Sequence, residues 1–511
     1  MKPTQEQIEI NNVVNTRNNL VVQAGAGTGK STTLRHIAQE NPENFLVLCF
    51  NSANATESNE HPDKPSNMYY STMHSVAYKA VVDKAVREKL APYLNYKDLP
   101  DNLFYDAGLV EAKDAKEERI VVSKLRKGVQ DTITLYCRSD SENLLQFATE
   151  YFYRLFSASK VIVEDEQLGS VIEKSVLLTV EQQTRLTNLT RAYWLNLIDT
   201  STKLNITHDV YLKLFHLRKH KITDFFDKAT KRTVDIQVLC IDEAQDTNLV
   251  SKAIFDYSDL KKVIVGDSMQ QLYAWRGAGD MMDKYPHFET RKLSASFRFN
   301  NYIADLSNVV LARAKSGMSL EGYSTKTEIK TTAILCRTNS TVLNTILTAL
   351  RDNPEAKFKL NIDFKDLTSK LYHLNALWFN QAPKYPNRSL KELTTKADLI
   401  EAMELNQEIV QLCGISQTLS NFGTLTEGIK CIQNALVAKD EDATYTISTI
   451  HKSKGLEWDE VIIADDFLPC KDGDYDVKGM WENHEQLCLL YVAITRAKVR
   501  VTLPYYLQEE F

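Results

Sequence analysis

Residues 20–33 read LVVQAGAGTGKSTT, and this stretch decides the fold class. A short apolar run enters a glycine loop, and Lys30 and Ser31 then open a helix-like segment. This is the phosphate-binding pattern GxxxxGK[ST], except that Ala24 stands at the first glycine position. Glycines let backbone N–H groups approach phosphate oxygens, and the N-terminus of the following helix favours an anion. The stretch predicts an α/β nucleotide-binding protein in which Lys30 reaches the β- and γ-phosphates and Ser31 coordinates Mg²⁺.

A second strand-like run, VLCIDEAQDT at 238–247, ends in a pair of carboxylates. Asp242 is expected to complete the Mg²⁺ shell, and Glu243 to act as general base toward the attacking water. Lys30 and Asp242 are 212 residues apart (242 − 30), far more than the roughly 30 residues of one βαβ unit. An inserted domain is therefore expected between the two motifs.

Short apolar runs rich in β-branched residues recur along the chain, and most precede helical or turn-like sequence, as in parallel α/β sheets. The predicted strands are 19–23, 45–50, 238–241, 262–265, 332–336, 445–449, 460–464 and 499–504. Between residues 78 and 230 the pattern changes to long helical stretches, such as 181–199, and a similar stretch runs from about 341 to 438. We therefore predict two α/β sheets, each interrupted by a mainly helical insertion.

Composition is that of a globular protein: the 511 residues are 43% hydrophobic and 25% charged. The sequence has no apolar run long enough to span a membrane and no apolar signal segment at MKPTQEQIEI, so a cytoplasmic, nucleoid-associated location is expected, or a nuclear one if the host has a nucleus. The eight cysteines show no metal-ligand spacing and are expected to be reduced core thiols.

A net charge of −6 argues only weakly against nucleic acid, because phosphate contacts require a local basic stripe. Residues 213–232 (KLFHLRKHKITDFFDKATKR) are a candidate stripe; a solvated helix face with core phenylalanines explains them equally well.

Six ordered motifs resemble those of the UvrD/Rep/PcrA-like superfamily 1A DNA helicases. They are AGAGTGKS (24–31), IDEAQDT (241–247), VGDSMQQLYAWRGA (265–278), LSASFRF (293–299), STIHKSKGLEWDEVII (448–463) and LLYVAITRAK (489–498). A further segment, THDVYLKLF (207–215), is similar to the F-box DNA helicase branch. The resemblance runs from Gln7 to Lys498 and implies two tandem RecA-like motor domains, each with a mainly helical insertion. The implied boundaries are 1–77 and 231–300 for the first motor domain, 78–230 for its insertion, 301–343 and 441–511 for the second motor domain, and 344–440 for its insertion.

The resemblance also implies roles at the nucleotide. Gln7 resembles the residue that reads adenine, and Phe297 the aromatic that stacks on the base. Gln270 resembles the γ-phosphate sensor, and Glu457 the carboxylate near the ribose and triphosphate. Two arginine fingers are implied at Arg298 and Arg496, because a fixed, always ionised guanidinium stabilises charge on the transferring phosphoryl group. The implied phosphate loop comprises Ala24, Gly25, Ala26, Gly27, Thr28, Gly29, Lys30, Ser31 and Thr32.

The loop after Gln270 resembles the element that couples the nucleotide to single-stranded DNA. Its Trp offers a stacking platform to any base, worth roughly 1–3 kcal/mol, so that binding is tolerant of sequence. The implied DNA contacts are Phe50, Asn51, His74, Tyr273, Trp275, Arg276, Arg337, Asn339, His451 and Lys454.

The resemblance implies Mg²⁺-dependent, DNA-stimulated ATP hydrolysis coupled to 3′-to-5′ movement along single-stranded DNA and to duplex unwinding, in repair, recombination or replication. The expected partners are single strands, single-strand/duplex junctions, and recombinase or single-strand-binding proteins, and the expected active form is a monomer. One alternative is a translocase that strips recombinase from single strands with little unwinding. Another is an ATP-gated DNA-binding adaptor that needs a partner. Several departures from the family are expected to matter: no F-box extension, no C-terminal tail, and a short second insertion. This compactness suggests a phage-encoded or similarly reduced protein.

Overall fold

The structure is a computed structural model that describes residues 3–16, 18–95, 98–110, 115–156, 177–272, 279–390, 393–405, 407–420, 423–471 and 474–511. The chain divides into two compact units. The first comprises Met1–Ala24 and Lys30–Leu293, and the second comprises Gly25–Gly29 and Ser294–Phe511.

A six-stranded parallel sheet forms the centre of the first unit, in the order β3-β2-β6-β7-β1-β8. An antiparallel hairpin, β4-β5, lies outside this sheet. The strands are β1 (Leu20–Ala24), β2 (Phe45–Leu48), β3 (Met68–Ser71), β4 (Asp224–Asp227), β5 (Arg232–Asp235), β6 (Val238–Ile241), β7 (Lys261–Gly266) and β8 (Glu289–Leu293). Because the six sheet strands are parallel, their carboxyl ends meet at one edge, which is where open α/β sheets bind ligands.

Helices cover both faces of this sheet, and the strands alternate their side chains between two apolar clusters. On β2, Phe45 and Val47 pack into one cluster and Leu46 and Leu48 into the other. The helices are α1 (Gln5–Asn15), α2 (Lys30–Glu40), α3 (Ser52–Glu60), α4 (Met73–Val81), α5 (Lys84–Glu88), α6 (Asn102–Asp106), α7 (Ala115–Arg138), α8 (Leu144–Phe156), α9 (Val180–Ile198), α10 (His208–Leu217) and α11 (Leu249–Tyr257). The residues that follow the sheet strands are thereby held on a rigid support.

The candidate basic stripe at 213–232 does not form one continuous surface. Lys213 is fully buried in α10, where its Nζ donates hydrogen bonds to the carbonyl oxygens of Ser139 and Ser141 and lies 4.1 Å from the ring centroid of Tyr136. Phe215 is buried in the core of the first unit. The start of the segment therefore belongs to the core of the first unit. It forms neither a basic stripe for nucleic acid nor a solvated helix face.

The second unit contains a five-stranded parallel sheet in the order β12-β13-β11-β14-β17, with two small two-stranded pairs beside it. Its strands are β9 (Ala295–Ser296), β10 (Glu321–Gly322), β11 (Thr332–Cys336), β12 (Phe358–Asn361), β13 (Tyr445–Thr449), β14 (Trp458–Ile463), β15 (Cys470–Lys471), β16 (Asp474–Tyr475) and β17 (Ala497–Thr502). Its helices are α12 (Asn301–Arg313), α13 (Asn339–Asp352), α14 (Phe364–Trp378), α15 (Lys396–Leu405), α16 (Gln407–Ser420), α17 (Leu425–Asn434), α18 (Val477–Glu482) and α19 (His484–Ile494).

The predicted fold class, two parallel α/β sheets with mainly helical insertions, is confirmed. Strand β12 lies inside the segment predicted as the second insertion and pairs in parallel with β13. The four domain boundaries themselves stay a prediction. Every cysteine whose side chain is described is a free thiol, and all of these except Cys431 are buried, as expected. Among the helices in the described ranges, none has the length and apolar character needed to cross a membrane.

Candidate nucleotide and nucleic-acid site

The carboxyl edge of the first sheet gathers most of the residues implied for the nucleotide. Lys30 begins α2, and its Nζ lies 3.6 Å from Oε1 of Glu243, which follows β6. Asp242 is hydrogen-bonded by the Ser31 hydroxyl and accepts the backbone N–H of Glu243 at 3.0 Å. Burial and the neighbouring Glu243 carboxylate raise the pKa of Asp242, and the charge of Lys30 opposes this rise.

These oxygens fit a magnesium ion. Mg²⁺ prefers hard oxygen ligands and is usually held by one or two carboxylates together with phosphate oxygens. Asp242 and Ser31 supply a partly buried carboxylate and a hydroxyl that are already in contact. The raised pKa of Asp242 marks a carboxylate whose charge a bound cation would stabilise.

A chain of side-chain hydrogen bonds connects Glu243 with the strand end that carries Gln270. The Gln245 amide nitrogen donates to Oε2 of Glu243 at 2.5 Å, and the Gln245 amide oxygen accepts the backbone N–H of Asp267 at 3.0 Å. The Gln270 amide in turn donates to Oδ2 of Asp267 at 2.7 Å. Gln245, Asp267 and Gln270 are all buried. The candidate base and the candidate γ-phosphate sensor thus belong to one hydrogen-bonded network.

The glycine loop Gly25–Gly29 belongs to the second unit by its contacts. Phe297 donates its backbone N–H to the Gly27 carbonyl at 3.0 Å, and the Ala26 N–H donates to the Tyr491 hydroxyl at 3.0 Å. Gly27 has a φ of +72°, and a Cβ at this position would lie 2.5 Å from the Arg298 Cβ. Only glycine combines this conformation with this close approach.

Both candidate arginine fingers lie in the second unit and are held by neighbouring residues. Arg298 donates from Nε to Glu457 at 2.8 Å, and Lys498 pairs with the other oxygen of Glu457 at 2.7 Å. Burial opposes ionisation of Glu457, but the two cations hold the pKa of Glu457 below its ordinary value. Arg496 is buried and donates to the carbonyl oxygens of Val492 and Leu456.

The two residues assigned to the base of the nucleotide have different surroundings. Gln7 forms a capping box with Thr4 at the start of α1 and donates from Nε2 to the Thr33 hydroxyl at 3.0 Å. Its amide is thus engaged on both sides. The Phe297 ring is 38% exposed and lies 5.9 Å from the ring of Tyr323, so it retains a face on which a base could stack.

Three candidate DNA contacts follow β2 and β3 at the carboxyl edge of the first sheet. Phe50 is 44% exposed, whereas Asn51 caps α3 by accepting the Asn54 N–H at 2.8 Å. His74 lies 3.2 Å from Asp209, which also accepts a 2.9 Å hydrogen bond from Arg138. Burial opposes ionisation of Asp209, but His74 and Arg138 hold the pKa of this carboxyl below its ordinary value. A cavity of about 230 Å³ is lined by Phe50, His74, Arg138, Asp209 and Asp242, among others.

The remaining described DNA candidates follow β11 and β13 of the second sheet. Arg337 donates from its backbone N–H to Asp466 at 2.9 Å and from its guanidinium to Gln486 at 3.3 Å. Asn339 begins α13, and His451 and Lys454 lie in or next to a 3₁₀ turn at Ile450–Ser453. The parallel order of the strands places these residues at the carboxyl edge of this sheet. Tyr273, Trp275 and Arg276 lie outside the described residues.

Two family models together match nearly all of the chain. The model of the UvrD/REP helicase N-terminal domain matches residues 4–284, and that of the UvrD-like helicase C-terminal domain matches residues 185–508. The chain belongs to the UvrD-like helicases. Membership accounts for the two parallel sheets and for motifs that follow strand ends in both.

Curated relatives of this UvrD-like chain include two F-box DNA helicases. The chain is 26% identical to F-box DNA helicase 1 of Gallus gallus, and the match covers 98% of this chain and 48% of the relative. It is also 26% identical to F-box DNA helicase protein 1 of Schizosaccharomyces pombe, with 95% of this chain and 55% of the relative covered. DNA helicase II of Escherichia coli is 22% identical over 58% of this chain and 38% of its own length. The chain therefore spans about half the length of the two F-box relatives. The resemblance predicted from the motifs is confirmed.

The UvrD-like site contains residues that the motifs did not single out. Gln245 and Asp267 lie inside quoted motifs, and the sequence signal for each was a polar residue within a few positions of a catalytic candidate. Tyr491 lies in LLYVAITRAK and contacts the glycine loop. Asp209 and Arg138 come from helices far along the chain from His74, so sequence spacing gives no signal for their contact.

Proposed function

We propose that the chain is an ATP-dependent DNA helicase that moves 3′ to 5′ along single-stranded DNA and unwinds duplex, driven by Mg²⁺-dependent ATP hydrolysis. The observation that carries this proposal is the network Lys30–Glu243–Gln245–Asp267–Gln270, whose last three members are buried. It joins the candidate base to the start of the loop whose sequence continues into Tyr273, Trp275 and Arg276. Gln270 is only a few residues before the candidate DNA-stacking residues in the sequence, so a nucleotide-dependent movement of Gln270 would be passed to them along the backbone.

In the proposed reaction, Glu243 accepts a proton from water as the water oxygen bonds to the γ-phosphorus. The bond from that phosphorus to the β,γ-bridging oxygen breaks, and ADP leaves with the electron pair. Lys30 neutralises charge on the β- and γ-phosphates, and Gln270 contacts the γ-phosphate. Arg298 and Arg496 stabilise the transferring group once Arg298 leaves Glu457 and Arg496 leaves the carbonyl oxygens of Val492 and Leu456. Asp242 and Ser31 would hold Mg²⁺, which supplies charge neutralisation of the triphosphate when bound.

The DNA side of the proposal rests on the placement of Phe50, His74, Arg337 and His451 after strands of the two sheets. Phe50 is exposed enough to stack on a base, and stacking of this kind tolerates any sequence. Polarity and unwinding come from the family alone and therefore need the experiment below.

The testing experiment measures strand displacement on three labelled duplexes that carry a 3′ tail, a 5′ tail or no tail, with the ATPase rate recorded in parallel. The matched control is the Glu243→Gln protein. Unwinding of only the 3′-tailed duplex by the unsubstituted chain, and of none by the control, supports the proposal. Unwinding from the 5′ tail contradicts the polarity. DNA-stimulated ATPase without unwinding favours a translocase, and ATP and DNA binding without hydrolysis favours an adaptor.

A further inference from the structure

A cleft of about 580 Å³ lies in the second unit along α14, outside every residue that the motifs assign to nucleotide or DNA. One wall is a stripe on this helix that includes Lys365 and Tyr372, two turns apart. The other wall is the segment after the helix, with Lys384 and Tyr385. We call this the α14 cleft. Its volume is within the range of about 300–1,000 Å³ typical of small-molecule sites.

The second wall of the α14 cleft is fixed by buried polar contacts. His373 and Asn387 are 1% and 4% exposed. His373 accepts the Asn387 backbone N–H at Nδ1 and donates from Nε2 to the Leu393 carbonyl at 2.9 Å. The Asn387 amide donates to Asp366 and Ser369 of α14, each at 3.1 Å. The segment that carries Lys384 and Tyr385 is therefore anchored against the helix at its far end.

The lining of the α14 cleft is basic, aromatic and rich in hydrogen-bonding groups. Lys365 and Lys384 are exposed, and among the described residues that line it none is an aspartate or glutamate. Tyr372 is 41% exposed and Tyr385 is 76% exposed. Exposed aromatic rings beside lysines match the chemistry of unpaired nucleotides, because rings stack on bases and ammonium groups neutralise phosphates.

The cleft begins close to a segment proposed to contact DNA. Asn361 ends β12, four residues before Lys365, and its amide donates to the Lys452 carbonyl at 2.7 Å. Lys452 lies between His451 and Lys454 in the sequence. The start of α14 is thereby tied to the 3₁₀ turn that holds His451 and is followed by Lys454, and α14 continues for 15 residues, about 22 Å of helix.

We propose that the α14 cleft binds unpaired nucleotides of a strand that also contacts His451 and Lys454, and so lengthens the footprint of the protein on single-stranded nucleic acid. This inference rests on the proposed function, since it assumes a strand at the second sheet. Tyr372 and Tyr385 supply stacking surfaces, and Lys365 and Lys384 supply phosphate contacts.

The test uses the full chain and fluorescent oligothymidylates of increasing length, with the affinity and the ATPase stimulation measured for each length. The variants are Tyr385→Ala and Lys384→Glu. Matched controls in the same unit are Tyr505→Ala, which removes a tyrosine of 60% exposure, and Lys478→Glu, which makes the same charge change at an exposed lysine. In parallel, oligonucleotides that contain 5-iodouracil are photo-crosslinked, and the modified peptide is mapped.

We expect Tyr385→Ala to weaken binding of long oligonucleotides by about 5- to 150-fold, the range that loss of one base–aromatic stack produces. Binding of the shortest oligonucleotide that still stimulates ATPase should stay unchanged, and the crosslink should map to Tyr372 or Tyr385. An equal effect on an oligouridylate series would extend the site to RNA. Loss at every length alike, or unchanged binding with no crosslink in this peptide, would overturn the inference. If no oligonucleotide binds or stimulates ATPase, the proposed function fails instead.

Discussion

The side-chain amide of Gln245 donates a 2.5 Å hydrogen bond to the carboxylate of Glu243. Glu243 follows the end of β6 and has a left-handed backbone conformation, with a φ of 58° and a ψ of 47°. Lys30 approaches the other carboxylate oxygen at 3.6 Å. Both oxygens of the candidate base are thus in contact with side chains of the protein, and one of these side chains, that of Gln245, also accepts the N–H of Asp267.

Replacement of the candidate base is the first prediction. Glu243→Gln keeps the size of the side chain but cannot accept a proton, so the ATPase kcat should fall by a factor of about 10²–10⁴. ATP and DNA affinity should remain near those of the unsubstituted protein, measured by fluorescence titration with a labelled ATP analogue and a labelled oligonucleotide. Loss of ATP binding would contradict the assignment of Glu243 as general base.

Gln245→Ala should lower kcat by about 10- to 100-fold with little change in the KM for ATP, because small misplacement of a catalytic group has effects of this size. It should also lower the free energy of unfolding by about 1–3 kcal/mol, because the buried Asp267 N–H loses its acceptor. Steady-state kinetics and urea unfolding measure the two effects.

The conservative variant Gln245→Glu separates positioning from stability. Its carboxylate can still accept the Asp267 N–H but places a like charge against Glu243, which raises the pKa of the base. The base must be ionised to act, so the acidic limb of the kcat–pH profile should move to higher pH. An unmoved limb would contradict either the contact between residues 245 and 243 or the assignment of Glu243 as the base.

The sheets could be predicted from the sequence except at three of their four edges. All eight predicted strands are present, in both units. The main-sheet strands that were not predicted are β3, β8 and β12, and each lies at the edge of its sheet. Strand β8 reads ETRKL and alternates partly exposed with exposed residues before its buried Leu293. Edge strands carry polar and charged side chains, so their apolar signal is weak.

The site could be predicted as far as its motifs reach. Lys30, Asp242 and Glu243 meet because parallel strands end at one edge, which the sequence pattern already implies. The bridge from Gln245 to Asp267 could not be predicted, since it depends on which way two buried side chains turn after neighbouring strands. The contact of His74 with Asp209 joins residues 135 positions apart and requires the fold itself.

The buried ammonium group of Lys213 provides a pH-dependence prediction. Burial lowers the pKa of Lys213 from 10.5 to about 8. Between these two pH values the unfolded chain binds a proton that the folded chain does not, so this residue's contribution to stability becomes more favourable as pH rises from 8 to 10.5. The unfolding free energy of the unsubstituted protein should therefore rise relative to that of Lys213→Met over this pH range. The rise should be at most about 1.4 kcal/mol per pH unit.

Urea unfolding at several pH values measures that difference, and Lys439→Met, at an exposed lysine, is the control. A difference that does not change with pH would mean that folding does not lower the pKa of Lys213.

The glycine loop provides the last prediction, through two glycines that share a backbone conformation but differ in their surroundings. Gly27 and Gly317 have φ values of +72° and +66°. A Cβ at Gly27 would lie 2.5 Å from the Ser296 hydroxyl oxygen and from the Arg298 Cβ, whereas a Cβ at Gly317 would meet nothing within 4 Å.

Gly317→Ala therefore carries only the conformational cost, about 1–2 kcal/mol, and should leave the ATPase unchanged. Gly27→Ala carries the same cost and must also displace either the loop or the backbone next to Phe297, which donates to the Gly27 carbonyl. Since loop N–H groups must face the phosphates, we expect ATP affinity to fall by at least about tenfold in Gly27→Ala. Titration of both variants with a labelled ATP analogue decides the matter: equal affinities would mean that the close packing at Gly27 has no part in nucleotide binding.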